Sequence, residues 1–186
     1  MMAKYDAVYN KVIIEEEGGY SNVSGDAGGE TYRGVTAKYY PDWVGWEIVR
    51  KQARKYGEII PEADILVKRF YVIEYWIKLE CEEMPDSIAE RIFRLAVHTG
   101  AKFAIKSLQR SLNLLNKQEK LYHDVDVDGI IGTNTMVALL MYCDYAPVNR
   151  LEACLDGFAF VKIMESTEKR EVNEKFFHGW IERYLI

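Results

Sequence analysis

Three residues near the start of the chain have the types and spacing that acid catalysis needs: Glu17, Asp26 and Thr31. Hydrolysis of a glycosidic bond requires one carboxyl group that donates a proton to the leaving oxygen. It also requires a second carboxylate that activates water or stabilises the positive charge developing on the sugar. We take Glu17 as the candidate proton donor, Asp26 as the candidate second carboxylate, and Thr31 as a contact for water or sugar.

Glu17 lies in the last turn of a predicted first helix, which a pair of glycines ends. The negative end of the helix dipole and two preceding glutamates disfavour the ionised carboxyl, as a proton donor requires. On a helical wheel Glu17 lies about 40° beyond Ile13, at the shoulder of the buried face. Glu16 points more directly under the apolar stripe and competes for the role. The simpler alternative is that these glutamates are solvated at a helix end.

The second carboxylate also has competing interpretations. Glu30 is a rival carboxylate close by in the chain, and Asp26 is alternatively a turn residue whose side chain bonds its own backbone. The segment 20–35, which holds both, contains spaced glycines among short polar stretches. That pattern predicts turns and a small β-hairpin.

Four aromatic residues are candidates for sugar contact: Tyr20, Tyr32, Tyr75 and Trp76. A flat ring face stacks on a pyranose, while polar groups at the ring edge form hydrogen bonds. The chain is 13% aromatic, and composition alone favours the core for most of these rings. For Trp76, on a predicted long helix, core and cleft positions are equally consistent with the pattern.

Helical periodicity dominates the rest of the chain. The first helix carries apolar residues at positions 5, 8, 9, 12 and 13, which is the spacing of one helix face. Further helices are predicted at 46–56, 61–79, 87–100, 104–115, 134–141, 147–163 and 176–185. The predicted fold is mainly α, with one small β or irregular insertion after the first helix.

Charge and cysteine usage exclude several other classes of function. The net charge is −5 and no basic run is long enough to follow a phosphate backbone, so nucleic acid is not an expected partner. Three cysteines without metal-ligand spacing indicate free, buried thiols. We expect no metal and no cofactor. His98 and His178 are not spaced as a metal pair and receive no function.

The Glu-Gly-Gly-Tyr run at 17–20, the Asp-x-Gly-Gly-x-Thr run at 26–31, Arg33–Thr36 and the Tyr-Trp pair at 75–76 resemble the signature of glycoside hydrolase family 108. These N-acetylmuramidases were once labelled secretion activator proteins. The resemblance implies a lysozyme-like helical fold, with Glu17 as the catalytic acid. It also implies hydrolysis of the β-1,4 bond between N-acetylmuramic acid and N-acetylglucosamine in peptidoglycan. By analogy with phage lysozymes, we expect inversion at the attacked carbon.

The second half is similar to the peptidoglycan-binding domain associated with that family, through an Asp-Gly-x-x-Gly turn at 128–132 that leads into a helix. His98, Thr133 and a charged insertion at 116–123 depart from the pattern. The acids at 124, 126 and 128 and the glycine at 129 also fit the start of a calcium loop. Thr135 stands where such a loop needs a bidentate glutamate, so a calcium site is not expected.

We therefore predict a lysozyme-like catalytic lobe at 1–85 and a helical peptidoglycan-binding lobe at 86–186, packed as one compact unit. The alternative function is a non-catalytic peptidoglycan-binding or secretion-accessory protein on the same scaffold. The charged start of the chain is not a signal peptide, and its longest uncharged run, 129–143, is too short to span a bilayer. We expect synthesis in the cytoplasm and action in the periplasm or cell wall after release, through a holin or another export route.

Overall fold

The computed structural model describes residues 2–22 and 29–184, which fold into two compact units, Met1–Ile77 and Lys78–Ile186. Within those residues there are eight α-helices and one three-stranded sheet. The prediction of a mainly α fold with a small β insertion after the first helix is confirmed. None of the helices in the described part of the chain is long and apolar enough to cross a membrane.

The first unit contains three helices and the sheet. The helices are α1 (Met2–Tyr9), α2 (Trp46–Gln52) and α3 (Pro61–Tyr71), and the strands are β1 (Tyr20–Ser21), β2 (Thr31–Tyr32) and β3 (Val35–Thr36). Apolar residues of the first helix at positions 5, 8, 9, 12 and 13 are all buried, as their spacing predicts.

Two helices of this unit continue into π-helical segments. Asn10–Ile14 follows α1, and Val72–Trp76 follows α3. A π turn closes its hydrogen bond one residue later than an α turn, so it changes the direction in which the following side chains point. Glu17 comes shortly after the first of these segments, and Tyr75 lies inside the second. Such segments often occur at functional sites.

The three strands form an antiparallel sheet in the order β1-β2-β3. A two-residue turn at Arg33 and Gly34 joins β2 to β3, with φ values of 47° and 76°. Positive φ at both positions is the mark of the tight hairpin turn whose twist suits the flanking strands. Glycine takes this conformation readily, but for arginine it is strained.

The second unit contains α4 (Asp86–Thr99), α5 (Ala101–Leu115), α6 (Thr133–Tyr145), α7 (Asn149–Glu168) and α8 (Glu174–Glu182). Helix α4 carries Arg94, which is 1% exposed and paired with Glu90 at 2.9 Å. The same helix is tied to α7 through Arg91 and Asp156, whose atoms approach to 3.1 Å. None of the three cysteines forms a disulfide; Cys81 is buried, and Cys143 and Cys154 are half-buried.

Two amide side chains on α5 and a third just after it hold the segment 124–130, which follows the charged insertion at 116–123. Asn113 donates to the Val125 carbonyl at 2.8 Å and accepts from its N–H at 2.9 Å. Gln109 pairs in the same way with the backbone of Gly129 and Ile130. Asn116 bonds the Asp124 carboxylate. The segment 124–130 is therefore held against α5 by side-chain hydrogen bonds to its backbone and to Asp124.

Candidate active site

Glu17 lies half-buried just beyond the π-helical end of the first helix, where its N–H donates to the Ile13 carbonyl at 3.1 Å. Its carboxyl packs over Gly34 of the hairpin turn. A Cβ added to Gly34 would lie 3.2 Å from Glu17 Oε2 and 2.5 Å from the Tyr71 hydroxyl oxygen. The carboxyl and the phenol therefore occupy the space that a side chain at position 34 would need.

The first helix ends at Ile14, before Gly18 and Gly19, so these glycines do not form the helix cap that the sequence predicts. Neither has the positive φ of a left-handed helix cap. A Cβ on Gly19 would lie 2.4 Å from the Glu58 carbonyl oxygen. The same carbonyl accepts from the Tyr20 N–H at 2.9 Å, so β1 runs against residues 57–58 with no room for a side chain.

Arg33 links the hairpin to the end of the helix. Its Nη1 donates to the carbonyls of Ile14 and Glu17, each at 3.2 Å. Its Nε and Nη2 contact the Asp64 carboxylate of α3 at 3.3 Å. The guanidinium is 8% exposed and Asp64 is 24% exposed, so this is a largely buried ion pair. The positive charge of Arg33 lies next to the backbone carbonyls at the end of the first helix. The negative charge of Asp64 balances it.

Two tyrosines of α3 and its continuation lie beside Glu17. The Tyr71 hydroxyl is buried and donates to the Arg33 carbonyl at 2.9 Å. Burial raises the pKa of Tyr71 well above its ordinary value, and the Glu17 charge raises it further. Burial and a 3.3 Å contact with the Tyr40 hydroxyl raise the pKa of Tyr75, with a smaller contribution from Glu17. Both phenols are therefore neutral at physiological pH.

The hairpin side of the site carries Glu30 and Thr31. Glu30 accepts from Arg50 at 2.7 Å through one oxygen and from the Tyr20 hydroxyl at 3.3 Å through the other. It therefore ties the start of the hairpin to α2. The Thr31 hydroxyl donates to the Gly29 carbonyl at 3.1 Å. Asp26, the predicted second carboxylate, lies outside the described residues.

Two of the predicted sugar contacts lie in the core. Tyr32 is fully buried, and its hydroxyl bonds the Asp64 carboxylate at 2.7 Å and both backbone groups of Ile60. Burial and the bond to Asp64 raise its pKa to about 12. Trp76 is 4% exposed and packs edge-on against Tyr5, with 5.3 Å between ring centroids. Neither ring offers a face to a sugar, so the site proposed below leaves both out.

The site also contains residues that sequence reasoning missed. Arg33 appeared only as part of a motif, and Asp64 and Tyr71 were not singled out. Asp64 lies in the first turn of α3 and pairs with the buried Arg33. An aspartate at the start of a helix is common, so no spacing in the sequence indicates this pairing. Within the described residues, no group of three or more acidic, histidine or cysteine side chains could hold a metal ion.

Comparison with known families gives two adjoining matches. The description "Glycosyl hydrolase 108" applies to residues 10–100, and "Predicted Peptidoglycan domain" applies to residues 103–185. Among solved structures, Brucella abortus SagA is 22% identical with a TM-score of 0.71, covering 99% of this chain and 91% of that one. The search of curated proteins finds no match. The SagA likeness shows the fold. The two family matches show that the chain belongs to glycosyl hydrolase family 108 and is a peptidoglycan hydrolase with a peptidoglycan-binding domain in its second half.

Proposed function

We propose that the protein is an N-acetylmuramidase that hydrolyses the β-1,4 bond from N-acetylmuramic acid to N-acetylglucosamine, with Glu17 as the general acid. The observation that carries this proposal is the position of the Glu17 carboxyl, half-buried over Gly34 and beside two neutral phenols. The Tyr71 hydroxyl donates to the Arg33 carbonyl, which fixes the phenol beside the hairpin turn.

In the proposed reaction the protonated Glu17 carboxyl gives its proton to the glycosidic oxygen, and the bond between that oxygen and C1 of N-acetylmuramic acid breaks. Water attacks C1 from the opposite face and loses a proton, which gives inversion. We assign the water-activating role to Asp26 rather than Glu30, because both Glu30 oxygens already accept hydrogen bonds. Thr31 and Tyr20 border the hairpin side, where they would contact water or sugar, and Tyr75 borders the helix side.

The second unit would hold the enzyme on its polymeric substrate, and we propose residues 1–85 and 86–186 as the functional division. The match to a peptidoglycan-binding domain supports action at the cell wall. We also propose that the protein reaches the cell wall through a holin or a comparable export route. The alternative considered from sequence is a non-catalytic binding protein on the same scaffold.

The chemical identity of the new chain ends tests this function. Purified sacculi are digested, reduced with borohydride and analysed by mass spectrometry, with the Glu17→Gln variant as the blank. We expect reduced N-acetylmuramic acid at the new ends. Reduced N-acetylglucosamine would place the cut at the other glycosidic bond, and anhydro ends would mean cleavage without water. Binding to sacculi without new ends would establish the accessory alternative.

A further inference from the structure

A groove of about 530 Å³ lies in the first unit between the segment 39–44 and α3 with its π-helical continuation. The helical wall consists of positions 66, 69, 70, 73 and 74, which is the spacing of a single helix face. Its volume falls in the range of roughly 300–1,000 Å³ that is usual for ligand sites. On this wall Ile73 is 44% exposed.

Both ring surfaces and hydrogen-bonding groups line the groove: Tyr40, Trp43, Phe70, Asp42, Arg69 and Glu74. A pyranose has apolar faces and a rim of hydroxyl and acetamido groups. Aromatic rings with charged side chains beside them match both parts of such a ligand. Because the charges here are of both signs, the groove suits a polar, uncharged chain better than an anion.

Trp43 is half-buried and is held in place by other rings. It stacks on Tyr32 with 6.5 Å between centroids and 18° between planes. It also meets Trp46 edge-on at 5.2 Å and Phe70 at 6.3 Å. A ring that is already fixed loses little conformational entropy when a ligand stacks on it. The Trp43 ring is therefore fixed in position, as a ring that stacks on a ligand should be.

The groove shares a wall with the candidate acid. Tyr40, which lines the groove, contacts the Tyr75 hydroxyl at 3.3 Å, and Phe70 packs edge-on against Tyr71 at 5.2 Å. The phenols of Tyr71 and Tyr75 are the groups on which the Glu17 charge acts. The rings that line the groove are therefore in contact with the two tyrosines that lie beside Glu17.

We propose that this groove binds sugar units of the glycan strand adjacent to the bond that is cleaved, with Trp43 as the stacking platform and Arg69 and Glu74 binding the hydroxyl and acetamido groups. The proposal rests on the proposed function for the identity of the strand. The expected ligand is a β-1,4-linked chain of N-acetylated hexosamines, and its stem peptides are not needed for binding here.

Calorimetric titration of the full chain with the β-1,4-linked tetramer of N-acetylglucosamine tests this inference. The Glu17→Gln background prevents hydrolysis. Ile73→Trp fills the groove from an exposed position on the π-helical continuation of α3. Ile65→Trp is its matched control, because Ile65 is 73% exposed on α3 itself and does not line the groove. Trp43→Ala removes the platform, and a melting curve checks its folding.

We expect saturable binding in the background protein and in Ile65→Trp, and no detectable binding in Ile73→Trp. Trp43→Ala should weaken the affinity about 30-fold, the usual effect of truncating a central aromatic anchor. Equal affinity in Ile73→Trp and Ile65→Trp, or no binding in the background protein, would overturn the proposal. The two proposals can fail separately. Sacculus digests without new chain ends would contradict the proposed function, whereas the titration measures sugar binding in the groove whether or not the protein hydrolyses sacculi.

Discussion

Replacing Glu17 with glutamine is expected to lower the rate of sacculus hydrolysis by about 10²- to 10⁴-fold, the usual contribution of a positioned general acid. Glutamine has the same shape as glutamate and fits the space over Gly34, but its amide has no acidic proton to give to the leaving oxygen. The rate of release of reducing ends from sacculi measures the effect, with binding to sacculi measured in parallel. Binding should be retained, because the peptidoglycan-binding domain is untouched.

Glu16→Gln is the matched control for this loss. Glu16 is the neighbouring glutamate, and helical geometry alone made it a rival for the catalytic role. We expect Glu16→Gln to hydrolyse sacculi at close to the rate of the unmodified protein. If Glu16→Gln were inactive and Glu17→Gln active, the assignment would pass to Glu16.

Replacing Arg33 with methionine is expected to reduce the free energy of unfolding of the first unit by about 3 kcal/mol, the lower part of the range for breaking a buried ion pair. The lower part applies because Asp64 is 24% exposed. The change leaves the Asp64 carboxylate without its cation, and the Ile14 and Glu17 carbonyls without their donor. Since domains are stable by only about 5–15 kcal/mol, urea denaturation should show this clearly.

Arg50→Met provides the comparison for that prediction. The Arg50–Glu30 pair is shorter, at 2.7 Å, but the Arg50 side chain is 52% exposed. Exposed ion pairs contribute roughly 0–1 kcal/mol, so Arg50→Met should cost far less than Arg33→Met despite its shorter contact. Adding Asp64→Leu to Arg33→Met should recover part of the loss, because the stranded carboxylate is then removed as well. Equal costs for the two arginines would contradict the role given to Arg33.

The general form of the fold could be predicted from sequence because burial follows the spacing of apolar residues. The first helix shows this, with every predicted apolar position buried. The hairpin was indicated by glycines, and Gly34 does occupy a turn position with positive φ. The two glycines after Glu17 indicate that the helix ends near it, and in the structure the helix ends three residues before Glu17, at Ile14.

Other features depend on contacts between distant segments, which local patterns do not record. The π-helical segment Asn10–Ile14 alters the directions of the side chains that follow, so a wheel drawn at a fixed angle per residue could not decide between Glu16 and Glu17. The sequence predicts Tyr32 as a sugar contact, yet its hydroxyl forms its hydrogen bonds inside the core, with residues 28 and 32 positions away. The pairing of Arg33 with Asp64 likewise joins a turn to a helix with no sequence signal.

The most direct test of Glu17 as the proton donor is the dependence of the Glu17→Gln defect on the leaving group. An aryl β-glycoside of N-acetylmuramic acid with a dinitrophenyl leaving group needs no proton to depart, whereas the natural sugar does. The ratio of unmodified to variant rates should fall by at least about tenfold on the activated substrate relative to native glycan, which corresponds to about 1.4 kcal/mol of barrier. An equal defect on both substrates would contradict the account and leave Glu17 with a structural role only.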